Sequence, residues 1–424
     1  MSLIDLGELR DDHRPEPPVR RRRPGTGAWG FPVVLLLALL TLVASVPVPG
    51  RETVVVPAGL GVDRMVVGDL LLVVAPRTPQ ASERSMTAYR LPGVERVWQA
   101  PVPVDGEFWH ATARGDVVLV TGNSPQDQRS ATMALDARTG EHRWRLPGSA
   151  VDLADGNVLL EESSIEGGYT FRAVDPCCGT PRWQLRLPLG EVRYRFAGPG
   201  LDRLVTRDPE GLVEVRDTGT GAVLAAADLD PAGDDKWSPD IVGDLLFVSS
   251  GSAPEVTAYG LDRLDRRWRA TAPANVFAVD CGAAVCFQSR SGAVRAVDAA
   301  TGRPAWNLEG WSDVWALSGR LLAVRFDVTG GNRPYLAALD PATGAIRAEL
   351  GRWELAHSPR RDEPLIGLRP HPGGGLFVAE LDLAAGVVRP LDVLPEAAGD
   401  CEVARWHLLC RRPDASLGLW PLRH

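Results

Sequence analysis

Lysine is all but missing from this chain. Lys236 is the single example, so arginine supplies the remaining 45 of the 46 basic residues. With so much Ala, Gly, Pro and Leu, that bias reads as the codon usage of a GC-rich genome and assigns no chemistry. Basic balance is missing too. The formal net charge is −8, so nothing suggests a nucleic-acid binder, and none is expected as a partner. The motifs of common catalytic machinery are absent: no G-x-S-x-G elbow, no P-loop and no H-E-x-x-H. Histidines are few and scattered (His13, His110, His142, His357, His371, His407 and His424), and no CxxC occurs, which argues against zinc. The aspartates of "DLDPAGDD" (228–235) lack the spacing of a calcium loop. No cofactor and no metal are expected, and no residue is assigned a catalytic role.

What is present is a globular composition, 45% apolar and 24% charged, in 424 residues. Residues 1–19 are polar and proline-rich, as a disordered tail would be. Arg20, Arg21, Arg22 and Arg23 follow, and then 24–50 carry no charge. Within that segment "WGFPVVLLLALLTLVASVPV" (29–48) gives about 20 apolar-rich residues, the length of a membrane span. The arginine block places the tail (1–23) in the cytoplasm and the body (51–424) outside, on a single-pass anchor at 24–50. A cleaved signal peptide, with "VAS" (43–45) as its site, and a twin-arginine signal are the alternatives; each exports the body. Six cysteines fit an oxidising compartment. They fall into three local pairs, Cys177 with Cys178, Cys281 with Cys286 and Cys401 with Cys410, and local disulfides are favoured.

Beyond residue 50 one pattern returns. It is clearest in "ALDARTGEHRW" (134–144), "AVDPCCGTPRW" (173–183), "AVDAATGRPAW" (296–306) and "ALDPATGAIRA" (338–348). Looser copies put the third position at 90, 217, 260 and 382, so units recur every 38–46 residues, and a truncated ninth copy ends in "LGLWPL" (417–422). Each unit reads as four short strands joined by hairpins. In the sixth they are "NVFAVDC", "AVCFQS", "AVRAVD" and "PAWNLE". Asp followed by Thr-Gly builds the turn between third and fourth strands. Trp98, Trp144, Trp183, Trp268 and Trp306 share one slot, a large apolar face to bury between neighbouring units. Ala225, Ala348 and Pro390 replace it elsewhere. This predicts an all-β fold, a single β-propeller closed by "ETVVVP" (52–57) as the fourth strand of the last unit. The units count to nine.

The motif AxDxxTGxxxW resembles the tryptophan-docking motif of pyrroloquinoline-quinone-type (PQQ-like) propeller repeats, over about residues 53–424. Such repeats usually number eight. They serve quinoprotein dehydrogenases, envelope scaffolds and sensor ectodomains alike. The resemblance is to membrane-anchored PQQ-like propellers of high-GC Gram-positive bacteria. In quinoproteins a vicinal cysteine pair lies over the cofactor. Here Cys177 and Cys178 replace the residues before Gly in the outer turn, on the perimeter, so they are read as structural.

The candidate binding residues are tryptophans outside the docking slot, Trp109, Trp237, Trp311 and Trp353, with Arg114, Arg195, Arg325 and Arg352 near them in sequence. Trp and Arg dominate protein-binding hot spots, and equivalent places in successive blades share one face. The reading is a non-enzymatic extracytoplasmic scaffold or ligand-binding platform that binds an envelope or membrane protein. A sensor ectodomain with a separate membrane partner and a PQQ-dependent dehydrogenase are the alternatives.

Overall fold

The computed structural model describes residues 53–422, apart from 79–82, 104–106, 124–128, 165–166, 230–237, 250–254, 273–275, 290–291, 318, 327–332, 358–362 and 405. The chain divides at Arg51/Glu52, and everything described belongs to the second unit. The anchor expected at 24–50 lies outside the described residues. Among those described, no helix is long and apolar enough to cross a membrane.

Thirty-six strands form nine antiparallel four-stranded sheets, the blades of a nine-bladed propeller. The expected number for this repeat, eight, is corrected to nine, the number of units in the sequence. Unit six shows how literally the pattern is obeyed: its strands are Val276–Cys281 (β22), Ala284–Ser289 (β23), Ala293–Asp298 (β24) and Pro304–Glu309 (β25). Closure is as expected. The last blade takes Gly399–Ala404 (β34), His407–Arg411 (β35) and Leu417–Pro421 (β36), and then Val54–Val56 (β1) as its fourth strand. Val54 pairs with Leu419 and Val56 with Leu417, which leaves no open edge at the joint.

The third-to-fourth-strand turns are built by their aspartates. Asp136 Oδ1 accepts the amides of Arg138 and Thr139, and Asp340 repeats this with Ala342 and Thr343. The turn then passes through glycine at positive φ, +72° at Gly140 and +67° at Gly344. The Thr301 hydroxyl and amide hold the Asp298 carboxyl below its ordinary value, with burial opposing them.

These turns are also sockets. Each slot tryptophan lays its indole on the turn glycine of the next blade: Trp98 on Gly140, Trp144 on Gly179, Trp183 on Gly221, Trp268 on Gly302 and Trp306 on Gly344. A Cβ on any of these glycines would stand 2.4–3.0 Å from the ring. Each indole Nε1 donates to a carbonyl in the same turn, at 2.9 Å to Ala137 and 3.2 Å to Pro341. Between blades four and five the roles reverse. Ala225 stands in the tryptophan slot, and Leu264, at φ +55°, replaces the turn glycine and buries itself against it. Large-on-small becomes small-on-large, and the joint stays filled.

Candidate functional site

First strands of successive blades lie against one another around the ring's centre. They run from an entry face to a turn face, the latter bearing the Asp-x-x-Thr-Gly turns. Among the described residues six Trp and Phe side chains are exposed: Trp109, Phe196, Phe277, Trp315, Phe326 and Trp406. Five of them sit on first strands or the hairpin that follows. Trp109 is in Glu107–Arg114 (β6), Phe196 in Glu191–Ala197 (β14), Phe277 in β22, Trp315 in Asp313–Leu317 (β26), and Trp406 follows β34. Apolar rings therefore border the central opening, which is where a wide nine-bladed ring leaves its inner strands uncovered.

The same strands carry desolvated acids. Burial raises the carboxyls of Asp240 and Asp313. The Glu402 carboxyl is pushed up to about 7, by burial first, with Arg64 opposing and Asp400 and Glu363 adding. Asp240 ties two blades together, because its Oδ2 accepts the amide of Ala278 in the next first strand, at 2.9 Å. His110 lies in β6 and His357 bridges to Glu402, whereas His407 begins a second strand, not a first.

The eight candidate residues do not form one exposed face. Trp109 is 49% exposed, as a binding residue must be. Trp237 lies outside the described residues. Trp311 and Trp353, 4% and 1% exposed, are corrected to core positions. Trp353 Nε1 donates to Leu350 O at 2.7 Å, and its ring stacks with Phe377. Arg114 and Arg195 sit near the turn-face ends of β6 and β14 and are committed to ion pairs, Arg114 with Asp152 (2.6 Å) and Arg195 with Asp202 (2.7 Å) and Asp244 (2.5 Å). Arg195 also lines a groove of about 980 Å³ over the turns of blades four to six, whose other charged walls include Arg203, Asp244, Asp262, Arg267 and Asp280.

Arg325 and Arg352, by contrast, are brought together on the entry face. They end Arg320–Arg325 (β27) and Ile346–Arg352 (β29), and Tyr335 opens Tyr335–Leu339 (β28) beside them. The Arg325 guanidinium lies 5.1 Å from the Trp311 ring and 4.9 Å from that of Tyr335, and Arg352 stands 5.9 Å from Tyr335. In the next blade Arg369, in Ile366–Pro370 (β31), lies 3.5 Å from the Trp353 ring and donates Nε to Arg352 O at 2.7 Å. Sequence reasoning missed Arg369, Arg333 and Tyr335. The available signal was arginine and aromatics recurring at strand ends in "VRF", "RPY", "GRW" and "LRP" of two successive units.

All three disulfides are local, Cys177–Cys178, Cys281–Cys286 and Cys401–Cys410, and no described cysteine is free. Cys177–Cys178 occupies the turn between Tyr169–Val174 (β12) and Pro181–Leu187 (β13), directly after Pro176, whose carbonyl receives the Trp144 indole. It is at the perimeter, away from the central opening. The Asp175 carboxylate lies within 4.8 Å of both sulfurs, but thiolate is the metal ligand, and these sulfurs are bonded to each other.

Residues 209–354 match the family model described as outer membrane protein assembly factor BamB. No curated protein matches the chain. Similar solved structures include BamB from Moraxella catarrhalis, 17% identical over 88% of this chain and 97% of that one, with a TM-score of 0.38. The computationally designed Ika8 protein is 14% identical over 75% and 97%, with a TM-score of 0.46. Sqt1 from Saccharomyces cerevisiae is 11% identical over 65% and 79%, with a TM-score of 0.38. By its sheets, its turn chemistry and its tryptophan sockets the chain is a nine-bladed β-propeller, and its residues 209–354 resemble the BamB family.

Proposed function

We propose that this propeller is a non-enzymatic, extracytoplasmic interaction platform of the cell envelope, tethered by the apolar segment within 24–50 and docking a protein partner across its central opening. The observation that carries the reading is the placement of exposed aromatics: five of six border that opening. Exposed rings are the side chains from which protein hot spots are made. The interlocked blades support the same reading, because side chains fixed on rigid strands lose little freedom on binding. The match over 209–354 supports a scaffold, because the matched family is that of an assembly factor.

In-cell crosslinking of the tagged full-length chain, followed by mass spectrometry, tests the proposal. A reproducible envelope partner should be captured by the native protein and lost from Trp109→Ala/Trp315→Ala, while the melting temperature of the purified variant stays near native. Capture that is indifferent to both rings would remove the central opening as the docking surface. Absence of any envelope partner would remove the platform reading itself.

A further inference from the structure

We propose that the entry face of blades seven and eight is a second binding site, for carboxylates presented by an acidic segment of a partner protein. It rests on the platform reading only in that a protein supplies the carboxylates, and its residues are separate from the aromatic border of the opening.

The first observation is that three arginines gather here without an ion pair. Elsewhere many arginines hold carboxylates, as Arg64 holds Asp400, Arg84 Asp63, Arg143 Asp136 and Arg216 Glu214. Among the described residues Arg325, Arg333 and Arg369 have no such ion pair. The nearby acid Glu349 is engaged, since its Oε2 accepts the Tyr335 hydroxyl at 2.7 Å.

The second observation is that these cations are held in place by rings instead. Arg325 lies over Trp311 and Tyr335, and Arg369 over Trp353. Stacking engages the flat face of a guanidinium and leaves its edge N–H groups free to donate. Arg369 has also been drawn close to a like charge. Burial first, and then the charge of Arg333, lower its pKa from the ordinary arginine value. Cations that outnumber the one nearby carboxylate, Glu349, raise the free energy of the empty face, and an arriving carboxylate relieves it. Carboxylate and guanidinium meet edge to edge through two parallel hydrogen bonds.

The third observation chooses the source of the anion. Arg325 and Arg369 come from different blades and stack on different rings, an arrangement that suits a segment with spaced carboxylates. Phe326, next to Arg325, is 53% exposed and offers an apolar shelf that an inorganic ion has no use for.

The test is fluorescence anisotropy of labelled hexaglutamate with the full-length chain in nonionic detergent at low salt. Saturable binding is expected. Arg325→Gln, Arg333→Gln and Arg369→Gln should each weaken it at least tenfold, and unlabelled hexaglutamine should not compete. Arg263→Gln, at an 82% exposed arginine on the turn face, should change nothing. Arg369 packs on Trp353, so its variant is paired with a melting curve; Arg333 touches no ring in the structure and keeps the test open if Arg369→Gln fails to fold. Inorganic phosphate should compete only at far higher concentration than hexaglutamate. No saturable binding to the folded native chain, or binding unchanged in Arg325→Gln and Arg333→Gln, would overturn the proposal. So would displacement by phosphate at equal concentration, which would make the ligand a free oxyanion. In either case partner capture that still depends on Trp109 and Trp315 would leave the platform reading standing.

Discussion

Emptying one tryptophan socket and refilling it from the opposite side tests whether the joint between blades is a matter of volume. Trp306 is 8% exposed, donates to Pro341 O at 3.2 Å, and has ring atoms 2.4 Å from where a Cβ on Gly344 would stand. Trp306→Ala vacates an indole's volume between blades six and seven, at a cost of about 3–5 kcal/mol. Gly344→Leu sets a branched side chain at a φ of +67°. That conformation costs about 1–2 kcal/mol, and the forced displacement of the indole costs about 1–3 more. Independent effects would sum to about 5–10 kcal/mol. If the small-on-large arrangement of Ala225 and Leu264 transfers to this joint, the double variant retains only the backbone cost and the lost indole bond, about 2–3 kcal/mol. Urea unfolding of the four proteins reads the difference as a coupling of at least about 3 kcal/mol in favour of the double variant. Additivity of the two single costs to within about 0.5 kcal/mol would refute complementary filling as what holds the joint.

The Glu402 carboxyl, at about 7 when folded against 4.5 for the free group, binds its proton more tightly in the native state. The stability it contributes is therefore full below pH 4.5 and is lost as pH rises through about 7, a loss on the order of 3 kcal/mol. Glu402→Gln should flatten that part of the pH–stability curve and be the more stable protein at neutral pH; identical curves would acquit Glu402. The disulfides should rank by the loop they close. Cys401–Cys410, nine residues apart and buried, should cost about 2.5–3 kcal/mol when both are changed to Ser, whereas Cys177–Cys178, one residue apart, closes no loop and should shift the melting temperature little. Val56→Asp, at a fully buried position of the closing strand, should cost roughly 3 kcal/mol or more, whereas the same change at exposed Val55 should cost far less by the same melt.

The fold was legible because its signals are local. An aspartate capping the amides two and three residues on, then a glycine at positive φ, marks each outer turn without any knowledge of the ring. Counting those turns yields nine, and it was only the habit of the repeat that favoured eight. The joint between blades four and five shows what local reading misses: Ala225 looks like a lost tryptophan until Leu264 is seen to fill its place. The candidate site was less legible for the same reason. Whether a tryptophan at the start of a first strand or just before it is surface or core depends on what lies over it. Trp109 lies open, while Trp311 and Trp353 are covered by Arg325 and Arg369, residues 14 and 16 positions further along. The sequence places aromatics and arginines on the same loops; the stacking that turns them from two separate sets into one is a tertiary fact.

Closure by β1 has a consequence for how the protein is made. Val54 finds its partner only when Leu419 exists, a separation of 365 residues. Blades one to eight can be laid down in order as the chain emerges, each locking its tryptophan or its substitute against the next. The ring stays an open arc throughout, with β1 waiting at one end. A product cut short before Leu417 would carry two bare sheet edges, at Val54–Val56 and at the last finished blade. Such edges are what recruit aggregation partners and proteases. The joint between first and last strands thus makes closure conditional on the ninth unit: only a chain translated through it can pair both bare edges.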